Sequence, residues 1–304
     1  MTLPRLHLVY KSAQARNAHW GRSFHRTMSS SSVHVVAQNG FGSGRGELYD
    51  SARPSYPTDV ISYIRTVASD SAAPLNIAEI GAGTGLFTRA LLSHPAWAGS
   101  IATLKAIEPS ADFRTVWEQK NTAKDLASIT HGSFDTTGVQ DNWADLVIIA
   151  QAFHWCPNYD SACAEFARIL KKDGAVVFVW NLEDRDAAHW VAQLRDRIES
   201  HEAGTPQFRL GLWRQAFKEH SYIKSFKEPE ENSYSYHLPA SEDTCVNRAL
   251  SKSYISVLEQ DEKDKVVHDI RDILARGDGK VWIDESRGIF QYPYKTLVVV
   301  SRKK

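Results

Sequence analysis

The sequence predicts an α/β protein with a doubly wound, mostly parallel seven-stranded sheet and a helical insertion before its last strands. Three observations carry that expectation. Strand and helix patterns alternate from residue 76 to residue 180. The first strand pattern runs directly into Gly81-Ala82-Gly83-Thr84-Gly85 and then into a helix. The alternation stops after Glu183, and strand patterns return only after Gly279.

Residues 57–69 open on Pro57 and space Val60, Ile61, Ile64 and Val67 along one helical face. Residues 76–80 read as a short strand, and the helix after the glycines carries Leu86, Phe87, Ala90 and Leu91 on one side. Residues 104–108 form the next strand. Ser110 then suits the N-cap of a helix bearing Phe113, Val116 and Trp117, because its hydroxyl can accept an orphan N–H. Ile129 marks a third strand, and the centre of 144–151 is a continuous apolar run of the kind buried on both faces of a sheet. Ala162, Phe166, Ile169 and Leu170 space a helix that Lys171, Lys172 and Gly174 close, complementing its exposed carbonyls. Residues 175–180 are the fifth strand. Strands that alternate with helices run parallel, with helices on both faces. Three helical spacings follow, over 190–198, 246–258 and 266–274. Residues 288–292 and 296–301, separated by a proline-containing turn, read as a terminal strand pair.

The chain has 304 residues and is 42% hydrophobic, enough for a sizeable core. Lys+Arg and Asp+Glu balance at 36 each, so no global charge draws it to nucleic acid or an anionic membrane. No apolar run reaches the roughly 18 residues that span a bilayer. Cys156, Cys163 and Cys245 are too few and wrongly spaced for a disulfide framework or a structural zinc site, so no metal is expected and a reducing, cytoplasmic setting is the simplest. Residues 1–46 lack Asp and Glu but carry Arg5, Lys11, Arg16, Arg22, Arg26 and Arg45. That is either the composition of a mitochondrial transit peptide or a leader upstream of a start at Met28. The organisation expected is a tail over 1–40 and one domain over 41–304, within which 183–279 is a helical lid over the substrate.

Glycines at a strand-to-helix turn let the backbone approach a ligand and aim helix N–H groups at it. A dinucleotide fingerprint requires a further glycine where this chain has Leu86, and Glu79 would repel a pyrophosphate. The same carboxylate suits the ammonium of an amino acid. Glu108, at the end of the second strand, can accept hydrogen bonds from both hydroxyls of a ribose, as it also would in a dehydrogenase.

Several motifs together resemble those of class I S-adenosylmethionine-dependent methyltransferases: residues 79–85, Glu108-Pro109, Gly132-Ser133-Phe134-Asp135, 150–155 (AQAFHW), 170–174 and Val179-Trp180-Asn181. The chain is most similar to the type 11 group and to trans-aconitate methyltransferases. Tyr49-Asp50 with Arg53-Pro54-Ser55-Tyr56-Pro57 resembles the N-terminal signature of that group. Gly204-Thr205-Pro206, Trp213-Arg214, Ser253-Tyr254-Ile255 and Tyr294-Lys295-Thr296 resemble its C-terminal half.

The resemblance implies a methyltransferase of Rossmann-like fold that binds S-adenosylmethionine and methylates a small molecule, with carboxylic acids favoured. It assigns Gly81, Ala82 and Gly83 to the amino acid part of the cofactor, with Glu79 beside them. It gives Glu108 to the ribose, Ser133 and Phe134 to the adenine, and Gln151 to the methionine moiety. Tyr49 and Arg53 would close over cofactor or acceptor. The group often has Ala-Glu where this chain has Phe134-Asp135, so the polar contact to the adenine edge departs from its pattern. His154 and Trp155 lie just past the fourth strand, where open α/β sheets bind ligands. His154 serves as a general base, as a hydrogen-bond donor to the acceptor, or as a structural residue. Trp155, Trp180 and Trp213 are candidate pocket walls, and Arg53, Arg209 and Arg214 candidate partners for an acidic acceptor. A non-catalytic cofactor-binding protein and a nicotinamide-dependent oxidoreductase are the rival readings.

Overall fold

The structure is a computed structural model that describes residues 46–68 and 74–304. The tail expected over 1–40, with its choice between targeting segment and flexible terminus, lies outside the described residues. Helices α1 (Gly46–Ala52) and α2 (Thr58–Val67) precede the alternating half. That half runs β1 (Leu75–Ile80), α3 (Leu86–Ser93), β2 (Ile101–Ile107), α4 (Ala111–Lys120), β3 (Ala127–Thr130), β4 (Ala144–Ala150), α5 (Tyr159–Ile169) and β5 (Leu170–Glu183). Ser110 caps α4 as its sequence predicts, its hydroxyl accepting the Phe113 N–H at 3.4 Å.

The insertion holds α6 (His189–Glu199), α7 (His220–Ser225), β6 (Glu230–Ala240), α8 (Glu242–Leu250), α9 (Ser253–Ser256) and α10 (Gln260–Arg276). The chain then adds the three-residue β7 (Trp282–Asp284) and the long β8 (Ile289–Arg302). The described residues form one eight-stranded sheet in the order β3-β2-β1-β4-β5-β8-β6, with β7 alongside β8. Pairings from β3 through β5 are parallel, and those of β8 with β5, β6 and β7 antiparallel.

Two sequence expectations need correction here. The insertion is not wholly helical, because β6 pairs with β8 over its full eleven residues, from Glu230↔Val300 to Ala240↔Phe290. The terminal strand pair is instead the single strand β8, which runs straight through Pro293. Pro293 falls just beyond the last pairing with β5, Glu183↔Tyr294, where the missing N–H breaks no bond on that side. A smaller difference is that the spacing over 246–258 divides into α8 and α9, with Ser251 and Lys252 at the break.

Side chains on the two faces of the sheet build separate cores. On one face Val60, Ile61 and Ile64 of α2 and Phe87 and Leu91 of α3 join Ile77, Ile148 and Val177. On the other, Phe166 and Ile169 of α5 join Val147, Phe178, Trp180 and Trp213. A third core lies within the insertion, where α6, α8 and α10 close on Phe290, Tyr292 and Tyr294 of β8. Among the described residues no helix is long and apolar enough to cross a membrane. Strand order reverses between β1 and β4, and the carboxyl ends of the two strands part there to leave a crevice.

The centre of β4 is fully buried at Leu146, Val147, Ile148 and Ile149, as its unbroken apolar run predicts. Ile148→Ala is expected to lower stability by about 2–5 kcal/mol, through lost burial and a residual cavity. Urea denaturation followed by tryptophan fluorescence measures this, and a loss near zero would remove β4 from the centre of the core.

Candidate cofactor and acceptor site

Two adjoining clefts open at the carboxyl ends of the strands. The first encloses about 860 Å³ and is walled by the ends of β1, β2 and β4. The second encloses about 580 Å³ between the β5 end of the sheet and the insertion. Tyr49, Gln151 and Trp155 border both.

The glycine turn forms the floor of the first cleft for steric reasons. Gly81 sits at φ +71°, and a Cβ there would lie 2.5 Å from that of Ala152. Gly83, at φ +58°, has no atom closer than 3.8 Å to such a Cβ, so its bare face borders open space. Both backbones are left-handed, a conformation glycine adopts without strain. The Gly83 N–H donates to Glu108 Oε2 and the Ser110 N–H to Glu108 Oε1, each at 2.9 Å. Glu108 is buried, which pushes its carboxyl up to about 7 against the pull of those two N–H groups.

Glu79 is more deeply buried, with 1% of its surface exposed. The Thr88 hydroxyl donates to its Oε2 at 2.5 Å, while its Oε1 has no hydrogen-bond partner. Burial pushes its carboxyl up to about 8. A buried carboxylate oxygen left unpaired beside a cleft is a place for a ligand cation.

The family model described as a methyltransferase domain matches residues 78–178. An uncharacterized methyltransferase-like protein of Schizosaccharomyces pombe is 30% identical over 260 residues, 84% of this chain and 93% of that protein. The chain belongs to the S-adenosylmethionine-dependent methyltransferases. An uncharacterized methyltransferase of Mycobacterium bovis is 30% identical over 158 residues, 52% of this chain and 58% of that protein. The YcgJ protein from Bacillus subtilis shares the fold, with a TM-score of 0.51 and 18% identity over 82% of this chain and 99% of that one.

The first cleft of this methyltransferase fits its cofactor. Glu79 Oε1 offers the acceptor that an ammonium lacks, the glycines leave room for close approach, and Glu108 keeps unused lone pairs beyond its two backbone bonds. Ala82, Ser133 and Phe134 border the same cleft. The Ser133 hydroxyl is engaged by Asp135 Oδ1 at 2.6 Å, and the Phe134 ring packs edge-on against Phe153. Gln151 stands at φ +57° on the ridge between the clefts. Its amide is clamped to the backbone of Asn181, Nε2 donating to the carbonyl at 2.8 Å and Oε1 accepting the N–H at 3.0 Å.

Arg53 borders the second cleft and not the first. It donates to the Ser251 hydroxyl at 3.0 Å and to the Ser251 carbonyl at 2.8 Å, with the Tyr49 ring beneath its guanidinium. His154 borders the second cleft too. Indole nitrogen can only donate, so the 3.3 Å contact from Trp180 Nε1 makes His154 Nδ1 the acceptor and leaves the ring proton on Nε2. Burial, then Arg53 and Lys252, push its pKa down to about 3. The ring is therefore neutral at physiological pH and presents an N–H. In this tautomer Nε2 can donate to a group in the cleft.

Arg214 departs from its expected place. Its guanidinium pairs with Glu231 and lies over the Trp213 ring, and it borders neither cleft. Trp180 and Trp213 are fully buried with their rings tilted against each other, and neither borders a cleft. Arg209 does border the second cleft, already paired with Glu199 and Glu202.

Sequence reasoning misses the cluster at the back of the second cleft. Glu183, fully buried, faces Arg248 at 3.0 Å, Lys252 at 3.2 Å and Arg195 at 3.9 Å. Among the described residues neither Arg248 Nη1 nor Glu183 Oε1 has a hydrogen-bond partner. The available signals are faint: Arg195 interrupts an apolar helix face, and Arg248 and Lys252 stand one turn apart.

Cofactor binding is expected to strengthen with pH. Glu79 and Glu108 hold protons up to about 8 and about 7, whereas a ligand ammonium favours ionised Glu79 and donating ribose hydroxyls favour ionised Glu108. Binding then releases protons, so affinity for S-adenosylhomocysteine rises from about pH 6 to about pH 8, by up to about tenfold per unit. Glu79→Gln removes most of that slope. Titration calorimetry checks it, and a flat profile in the unaltered protein would show that neither carboxyl meets the ligand's cation.

Proposed function

We propose that this methyltransferase esterifies a small organic acid held in the second cleft. The observation that carries this reading is a buried guanidinium nitrogen, Arg248 Nη1, unpaired in a cleft also bordered by Arg53, Arg195, Arg209 and Lys252. Glu199 and Glu202 balance Arg195 and Arg209, which leaves Arg53, Arg248 and Lys252 around the single carboxylate of Glu183. A site short of negative charge suits an anion, and a guanidinium fork matches a carboxylate. The resemblance to trans-aconitate methyltransferases supports the same class of acceptor.

When bound, S-adenosylmethionine supplies a methyl group already activated on a cationic sulfur. The residues here have three tasks. Arg53, Arg248 and Lys252 draw in and fix the acid, and the His154 Nε2–H steadies one of its oxygens. Gln151, clamped in place, holds the border across which the two reactants meet. Tyr49 and Trp155 wall both clefts and keep water out. A carboxylate needs no base to become a nucleophile, so a neutral donor at 154 suits the chemistry. Alignment of this kind contributes on the order of 7–11 kcal/mol, more than the roughly 10²- to 10⁴-fold of a general base.

Incubation with methyl-labelled cofactor and a metabolite extract is expected to give a labelled product that alkali converts to labelled methanol, the behaviour of a methyl ester. Label that resists alkali would place the methyl on nitrogen, carbon or an ether oxygen and overturn the acid reading. His154→Ala is expected to keep cofactor affinity and to lower turnover by about tenfold or more, as loss of an oriented donor does. The unaltered enzyme should show no rate inflection from an imidazole near neutrality, since this ring titrates at about 3. Such an inflection, lost in the alanine variant, would restore His154 as a base.

A further inference from the structure

We propose that the second cleft takes up its anionic acceptor together with one proton from solvent, and that Lys252 Nζ is the atom that receives it. This rests on the acid reading above and adds to it a residue and a measurable charge balance.

The geometry around Lys252 carries the inference. The residue lies at the break between α8 and α9 and is 8% exposed. Its ammonium nitrogen has one anionic neighbour, Glu183 on β5, at 3.2 Å. That carboxylate is already shared with Arg248 of α8 at 3.0 Å and Arg195 of α6 at 3.9 Å. Arg53, beyond the end of α1, and His154, past β4, face the same space. Lys252 thus shares Glu183 with Arg248 and Arg195, the latter also paired with Glu199, while Arg53 faces the same space with no carboxylate of its own in the cluster.

A guanidinium does not give up its proton in a protein, whereas a buried lysine does. The cluster therefore relieves its excess charge at Lys252. Burial first, then Arg248, hold this amine well below its ordinary range against the pull of Glu183, with Arg53 and Arg195 adding to the depression. Against burial, Glu183 stays ionised through Arg248 and Arg195, which remain charged whether or not Lys252 holds a proton. An anion entering the cleft supplies the missing negative charge, and the Lys252 lone pair takes a proton from the surrounding buffer. Between the free and bound pKa values the complex holds one proton more than its parts. Affinity for the anion then falls as pH rises through that window, by up to about tenfold per unit.

Titration calorimetry with succinate as probe tests this, on enzyme saturated with S-adenosylhomocysteine so that Glu79 and Glu108 are already engaged. Measurements in HEPES and in Tris, which differ in heat of ionisation, are made from about pH 7 to about pH 9. The expected result is uptake approaching one proton and affinity that weakens with pH. Lys252→Arg, permanently charged, is expected to bind succinate with no buffer dependence and a flat profile, and Lys252→Met to bind weakly with none either. Succinate binding without proton uptake, or uptake that persists in the arginine variant, overturns the role of Lys252 and leaves the acid reading standing. No succinate binding by enzyme that still binds S-adenosylhomocysteine overturns both.

Discussion

Burying a carboxylate at the end of a strand is costly unless a cation or several donors come with it, and this sheet does so three times. Glu79 ends β1, Glu108 follows β2 and Glu183 ends β5, each at most 6% exposed. The three are compensated in opposite ways. Glu79 and Glu108 receive only a hydroxyl and two backbone N–H groups, and burial holds them well above the ordinary carboxyl range. Glu183 receives Arg248, Lys252 and Arg195 and is held below it. One cleft is therefore short of positive charge and its neighbour short of negative charge. A cationic cofactor completes what the first cleft leaves uncompensated, and, on the acid reading proposed above, an anionic acceptor would complete the second.

That border depends on a short helix held from both sides. On α1, Asp50 accepts from Arg89 of α3 at 2.6 Å and from Lys120 of α4 at 2.7 Å, which seats the helix beside the cofactor turn. Just beyond its end, Arg53 bonds Ser251 of the insertion, and the Ser55 carbonyl accepts from Asn181 Nδ2 at 3.2 Å. Asn181 also clamps Gln151 through its backbone, while its Oδ1 accepts the Thr296 hydroxyl of β8 at 2.6 Å. Tyr49 and Gln151, which wall both clefts, are thus fixed by one continuous set of polar contacts. A seven-residue helix could not hold Tyr49 over two ligands by its own propensity.

The alternating half was legible because its signals are local. A glycine turn after an apolar strand, a serine cap at 110 and an apolar run at 144–151 each specify their own structure. The insertion was less so, for identifiable reasons. Strand β6, reading EENSYSYHLPA, does alternate Tyr234, Tyr236, Leu238 and Ala240 with more polar neighbours, but its acidic start and Pro239 mask that period-two signal. Its partner β8 carries Pro293, a breaker whose effect vanishes only because β5 has already ended there. Among the candidate site residues, those on the glycine turn and the strand ends border the first cleft, since chain position alone puts them at the crevice. Arg214 was misplaced because an arginine beside a tryptophan reads alike whether it faces a ligand or Glu231. The Glu183 cluster was missed because β5, α6 and α8 converge only in the tertiary fold, from positions 183, 195, 248 and 252.

The neutral histidine belongs with this charge pattern. Arg53, Arg195, Arg209 and Arg248 already border the second cleft, so a further charge at His154 would add repulsion, and burial, then Arg53 and Lys252, disfavour the charged ring. Trp180 then fixes which nitrogen carries the proton, from a position stacked between Phe208, Phe178 and Trp213 that leaves the indole little freedom to move. The aromatic core beneath the cleft thus decides the hydrogen-bonding sense of a residue above it. A base would have needed the opposite tautomer, with its free nitrogen toward the acceptor. On the acid reading proposed above, the packing of Trp180 ties the donor at His154 to the same core that holds β5 in the sheet.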